Sequence, residues 1–211
     1  SFYACRVLIM NIKQLSGWLL ILGPLAVLLA FAGWPNTPNP YEELIALSKD
    51  PSNSLMIMSF FIFGITGLLT GLTFVARDIS EKNTQWSSLA AISSVTFPIA
   101  ITILIAGTGM NIGALSEIKT NLEGAIGIYY VAFYITEAIG IPFGVGFVCL
   151  AIPLLTQATS IGQRIIAGLY LLIGIIHLVN VYLEGDGFAI IGWLGMFFVS
   201  IAYGIMILRG K

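Results

Sequence analysis

The sequence predicts an all-α, polytopic integral membrane protein: a six-helix transmembrane bundle with two short external interfacial helices. Three observations predict it. Of the 211 residues, 58% are hydrophobic and only 9% charged, with a mean hydropathy of +0.98. A globular mixture would be roughly half apolar and a quarter charged. The apolar residues fall into six continuous runs, each near or above the ~20 residues that a helix needs to cross a bilayer. None of the runs alternates in polarity as the strands of a membrane barrel would.

The first run, Leu15 to Trp34, follows Arg6 and Lys13 and ends in Ala30-Phe31-Ala32. That pattern imitates a secretory signal, but the run is longer than the ~7–15 residues of a signal core, so an uncleaved anchor is expected. Met10-Asn11-Ile12-Lys13 resembles a natural start, and no fold argument rests on Ser1 to Ile9. An interfacial helix over about 40–49 follows, because Asn39 suits the N-cap, Pro40 the first helical position and Glu42 the capping box, while Asp50-Pro51 supplies a stop. The second and third spans are Leu55 to Ala76 and Leu89 to Gly109. A second interfacial helix is expected over about 111–123, where Ile112, Leu115, Ile118 and Leu122 recur at helical spacing and Gly124 is the stop. The fourth span is Ala125 to Leu155, kinked at Pro142, and the last two are Ile165 to Leu183 and Phe188 to Leu208. No internal repeat and no soluble domain appear, so 1–211 is read as one transmembrane domain.

With an even number of spans, Arg6, Lys13, Arg77, Lys82, Arg164, Arg209 and Lys211 fall on one side against Lys49 and Lys119 on the other. Basic residues near span ends are retained in the cytoplasm, so both termini are expected there, in the plasma membrane. The external face then carries Glu42, Glu43, Asp50, Glu117, Glu123, Glu184 and Asp186, about five net negative charges. Cys5 and Cys149 have no Cys-x-x-Cys spacing, which argues against a disulfide framework or thiolate metal site. Trp18, Trp34, Trp86 and Trp193 suit interface anchors, the last of them lying deeper.

Small residues mark close helix approach in lipid, and Gly64, Gly67 and Gly71 form such a stripe in the second span. Gly140 and Gly144 do so in the fourth span, and Gly168 and Gly174 in the fifth. Chemistry is expected on helices four and five. Glu137 is an acid inside an apolar run, where an ionisable group costs a few kcal/mol or more unless it is protonated or paired. Tyr130 and Tyr134 precede it at helical offsets, and Tyr170, Gly174, His177 and Asn180 share a stripe on the fifth span. Taking the span centres at Gly140 and Gly174 puts Glu137 and His177 at one depth, so a hydrogen bond between them is expected, directly or through Tyr134 or water, with Asn180 completing the cluster.

That cluster supports three functions. The first is a small accessory or scaffolding subunit of a larger membrane complex, with the polar cluster as glue between helices. The second is a proton- or cation-coupled transporter using Glu137. The third is a haem-, quinone- or metal-binding subunit using His177, although one His leaves a metal underligated. No protease zinc motif, phosphate loop or nucleophile elbow is present, so catalysis by the chain itself is not expected. No cofactor is expected. Bound lipid and other membrane subunits are the anticipated partners, and nucleic acid is not.

Overall fold

The computed structural model describes residues 11–37, 39–82, 84–182 and 186–210, the side chains of 186–189 excepted. Eight helices lie among them: α1 (Ile12–Gly33), α2 (Pro40–Ser48), α3 (Pro51–Ser80), α4 (Ser87–Glu117), α5 (Leu122–Glu137), α6 (Gly140–Gln157), α7 (Ile161–Asn180) and α8 (Asp186–Leu208). Six segments are long and apolar enough to cross a membrane, with α5 and α6 together counting as one. The expected six-span all-α bundle is therefore present.

Helix starts follow side-chain chemistry. The Asn39 Oδ1 accepts the Glu42 N–H at 2.9 Å, with Pro40 in the first turn of α2. Asp50 likewise accepts from Asn53 at 3.1 Å and so starts α3 as soon as α2 has stopped. At α7 a reciprocal capping box joins Ser160 and Gln163. Each such cap satisfies backbone donors that the helix itself cannot.

Two boundaries depart from the sequence expectation. Residues 111–123 do not form a separate interfacial helix: α4 runs unbroken through Asn111 to Glu117, and the chain turns before α5. Nothing in that stretch competes with the helix, since Gly109 and Gly113 lower helix propensity without ending it. The effective cap is Asn121, whose Oδ1 accepts the Gly124 N–H at 2.9 Å, so Gly124 lies in the first turn of α5 and is not a stop. The fourth apolar run, in turn, is two helices interrupted at Ala138 and Ile139. Pro142 stands in the first turn of α6, where its missing N–H removes a bond back to the preceding helix, so the expected kink is a full break.

The membrane helices form a closed ring in the order α1, α3, α4, α6, α7, α8, with α8 returning to α1. Close backbone approach makes two of the seams. A Cβ added at Gly64 would stand 2.7 Å from the Gly23 carbonyl oxygen and 2.8 Å from the Val27 nitrogen. One added at Gly174 would stand 2.8 Å from the Val148 nitrogen and 3.0 Å from the Gly144 oxygen. Gly71 fits against Leu19 and Leu20, Gly140 against Val181, and Gly67 more loosely against Gly23 and Leu19. Gly168, by contrast, faces open space and takes no part in the α6–α7 seam. Ser93 adds a polar tie by donating to the Gly146 carbonyl at 2.8 Å, joining α4 to α6.

The ring interior is filled by large side chains, among them Leu68, Leu72, Phe97, Phe143, Phe147, Tyr170 and Phe197. A second, smaller core lies at the α2 end, where Leu44 and Leu47 of α2 meet Met58, Ala114, Leu115, Ala125 and Tyr129. Ser54 fastens this cap to α3 by donating to the Leu47 carbonyl at 2.7 Å. Trp34 Nε1 donates to Glu43, and Tyr129 lies against the same carboxylate.

Candidate functional site

At the end of the ring where α1 begins and α8 finishes, the interior opens into a cavity of about 530 Å³. It is lined from α1, α3, α6, α7 and α8, five of the six ring helices. Its mouth carries Lys13, Arg77, Asp78, Glu81 and Lys82, and its sides carry Ser16, Gln157 and Gln163. Deeper walls are apolar, from Val75, Leu154, Ile166 and Ile207, with Tyr203 among them. Ligand pockets typically enclose ~300–1,000 Å³, so the volume is of ligand size, while ten of the eighteen lining residues are polar or charged.

Inward of the cavity the ring is sealed by stacked aromatic side chains. Tyr203 meets Tyr170 edge-on at 6.0 Å between ring centres, and Tyr170 stacks on Phe147 at 5.4 Å. The Tyr170 hydroxyl donates to Ser200 Oγ at 3.0 Å, which satisfies both groups in a buried setting. Beyond Phe147 come Phe143, His177 and Trp193, all in mutual ring contact, then Phe31 and Phe61 towards the α2 end. Geometries of this kind favour aromatic pairs beyond the area they bury.

His177 therefore belongs to this plug. It is buried, 4% exposed, in the last turn of α7, and its Nε2 has no hydrogen-bond partner among the described residues. Gly192 makes room for it, since a Cβ there would stand 3.3 Å from Nε2. Asn180, one turn on, is half-buried, with its Oδ1 also unpartnered among the described residues.

Glu137 is elsewhere. Its side chain is exposed at the last position of α5, and no direct hydrogen bond joins it to His177. The depth comparison made from the sequence fails because the run was centred at Gly140. Gly140 in fact begins α6 and packs beside Val181, just past the end of α7, so Glu137 lies level with the end of the ring and not at its middle. Tyr134 is exposed at 63% and Tyr130 is half-buried. The buried phenol of α5 is the neighbouring Tyr129, which faces Glu43. The structure thus keeps His177 and Tyr170 on one interior column and leaves Glu137 and Tyr134 on the outer surface.

Sequence reasoning singled out none of the residues lining the cavity as a site. Lys13, Arg77, Gln157 and Gln163 flank four different helices, and only the ring order brings them together. A signal did exist in Ser200 and Tyr203, polar residues in the apolar α8 on the same side as Trp193 and Met196 at helical spacing. Among the described residues no three His, Cys, Asp or Glu side chains converge to hold a metal. Comparison with protein-family models, with curated proteins and with solved structures finds no match to this chain.

Proposed function

We propose that this protein is a membrane carrier for a small solute, with the cavity as its loading site and the aromatic plug as the barrier the solute passes. The observation behind this reading is a cavity of ligand size lined by five of the six ring helices, with Tyr203, Tyr170 and Phe147 in ring contact on its inward side. A scaffold needs no such interior. The glycine seams, where the backbones of α1 and α3 and of α6 and α7 approach closely, suit the small sliding and rocking that alternating access requires. Glu137 is not the coupling group in this reading, because it faces outward. The basic residues at the cavity end favour placing that end, and both termini, in the cytoplasm.

A second reading, a subunit of a larger membrane assembly, is favoured by one observation. Glu137, Tyr134 and Val131 present a mixed, exposed surface on α5 that a neighbouring helix would cover. The haem, quinone or metal reading draws no comparable support, since His177 is walled by Phe143, Phe147 and Trp193 and does not line the cavity.

Thiol accessibility tests the carrier. In sealed vesicles, with Cys5 and Cys149 replaced by alanine, Ile166→Cys should react with an impermeant thiol reagent from the cavity side. Met196→Cys, at a position wholly buried in the ring core, should react more slowly but measurably as the ring opens. A Met196→Cys that stays inert from both sides while Ile166→Cys reacts would leave a fixed binding cavity and remove the carrier.

A further inference from the structure

The cavity combines a charged mouth with an apolar interior, and the sign of that charge selects its ligand. Three ring helices begin and three end at this level, so their terminal dipoles offset one another, and side chains decide the sign. Among the lining residues Lys13, Arg77 and Lys82 stand against Asp78 and Glu81, one more cation than anions, and Arg164 and Arg209 lie at the same end of the described chain without lining the cavity. Asp78 is engaged by Lys82 at 2.7 Å, an exposed pair of little energetic weight that nonetheless occupies that carboxylate. Arg77 and Lys13, both lining the mouth, have no carboxylate within 4.0 Å among the described residues. A guanidinium stays charged at any physiological pH and presents a fork matched to carboxylate or phosphate oxygens. Behind these heads the wall is apolar: Phe74, Val75, Leu154, Ile166 and Ile207.

We infer that the cavity binds a small amphiphilic organic anion, its head at Arg77 and Lys13 and its apolar body against Ile166 and Leu154. The inference rests on the carrier reading only for the cavity's purpose; binding itself needs no transport. Positively charged span ends are common to membrane proteins and set their orientation, but orientation does not require them to ring an apolar cavity. The ligand's charge could come from a dissolved anion or from an anionic lipid head, and the experiment separates the two.

The test uses the full chain carrying Ile166→Cys in the cysteine-free background, in vesicles of phosphatidylcholine alone or with phosphatidylglycerol added. The rate of thiol labelling is followed with hexanoate or with hexylammonium as probe. Hexanoate should slow labelling in phosphatidylcholine vesicles, and Arg77→Gln should weaken that protection about tenfold, the loss expected for one charge-assisted contact. Lys49→Gln, at the opposite end, should leave protection unchanged. Slow labelling in phosphatidylglycerol vesicles without any hexanoate would support the same anion site and assign it to lipid. Protection by hexylammonium equal to that by hexanoate would overturn the charge assignment, and so would labelling that is equally fast in both kinds of vesicle with either probe or none. Because Met196→Cys reports on opening and Ile166→Cys on occupancy, failure of the ligand class and failure of the carrier give different results.

Discussion

The helix ring and the α2 cap hold their parts together by opposite means. In the ring, backbone meets backbone at Gly23 and Gly64 and at Gly144 and Gly174, and every helix is gripped by two neighbours. In the cap, a nine-residue helix is held by two buried leucines, one serine hydroxyl and a carboxylate shared by Trp34 and Tyr129. The first tolerates almost no added volume, because a Cβ at Gly23, Gly64 or Gly174 would meet backbone atoms of the facing helix, which cannot move aside as a side chain can. The second tolerates little loss of volume, because a handful of side chains carries it. In lipid this difference is expected: without a hydrophobic drive between spans, contact has to come from shape. Where a short helix covers a small apolar cluster, burial of a few leucines does the work.

The largest effect should come from filling a ring seam. Gly64→Val would force its side chain into the Gly23 carbonyl and the Val27 backbone. It should cost about 3 kcal/mol or more, at the upper end of overpacking penalties. Thermal unfolding in mild detergent checks this, with Gly168→Ala as the control, since nothing lies within 4 Å of a Cβ there. Should both variants melt alike, the seam is not what holds α1 to α3.

An intermediate effect should follow from emptying the cap. Leu47 is 2% exposed, and Leu47→Ala should cost about 2–4 kcal/mol. The loss should be local, so hydrogen exchange should accelerate through α2 while amides of α6 and α7 keep their protection. Exchange rising in both places would mean that ring and cap unfold as one unit, which breaks the contrast.

The smallest effect belongs to Glu137. An exposed acid at the end of α5 has no buried partner to lose, so Glu137→Gln should change stability by no more than about 0.5 kcal/mol. A loss several times larger would put that carboxyl back into a buried network and revive its pairing with α7.

How far the sequence could be read follows from the same contrast. The spans were legible because lipid demands continuous apolar length, and the start of α2 was legible because Asn39 and Pro40 state a cap in local chemistry. The close approach of Gly64 was legible for a related reason, since small residues in lipid serve packing. What escaped was anything set by how helices are placed around one another. The apolar stretch around Glu137 was long enough for one and a half spans, and periodicity does not say which ~20 of its residues cross. Centring it at Gly140 moved Glu137 inward and gave it His177 as a neighbour. The Gly140-Ile141-Pro142 sequence held the correction, as a break between α5 and α6. The cavity was invisible for a different reason: Lys13, Arg77, Gln157 and Gln163 are ordinary end-of-span residues until the ring order gathers them.

The first and last membrane helices are ring neighbours, with Gly204 set so close to α1 that a Cβ there would stand 2.6 Å from the Gly17 carbonyl oxygen. During synthesis, then, α1 must wait in the bilayer with one flank bare until the ribosome has delivered α8, because no earlier segment supplies that seam. Docking of α8 onto α1 is then a late event of high sequence separation, the slow kind of step. A nascent chain stalled before α8 would hold a split barrel of helices with no chamber inside it, and quality-control proteases would meet that open flank first.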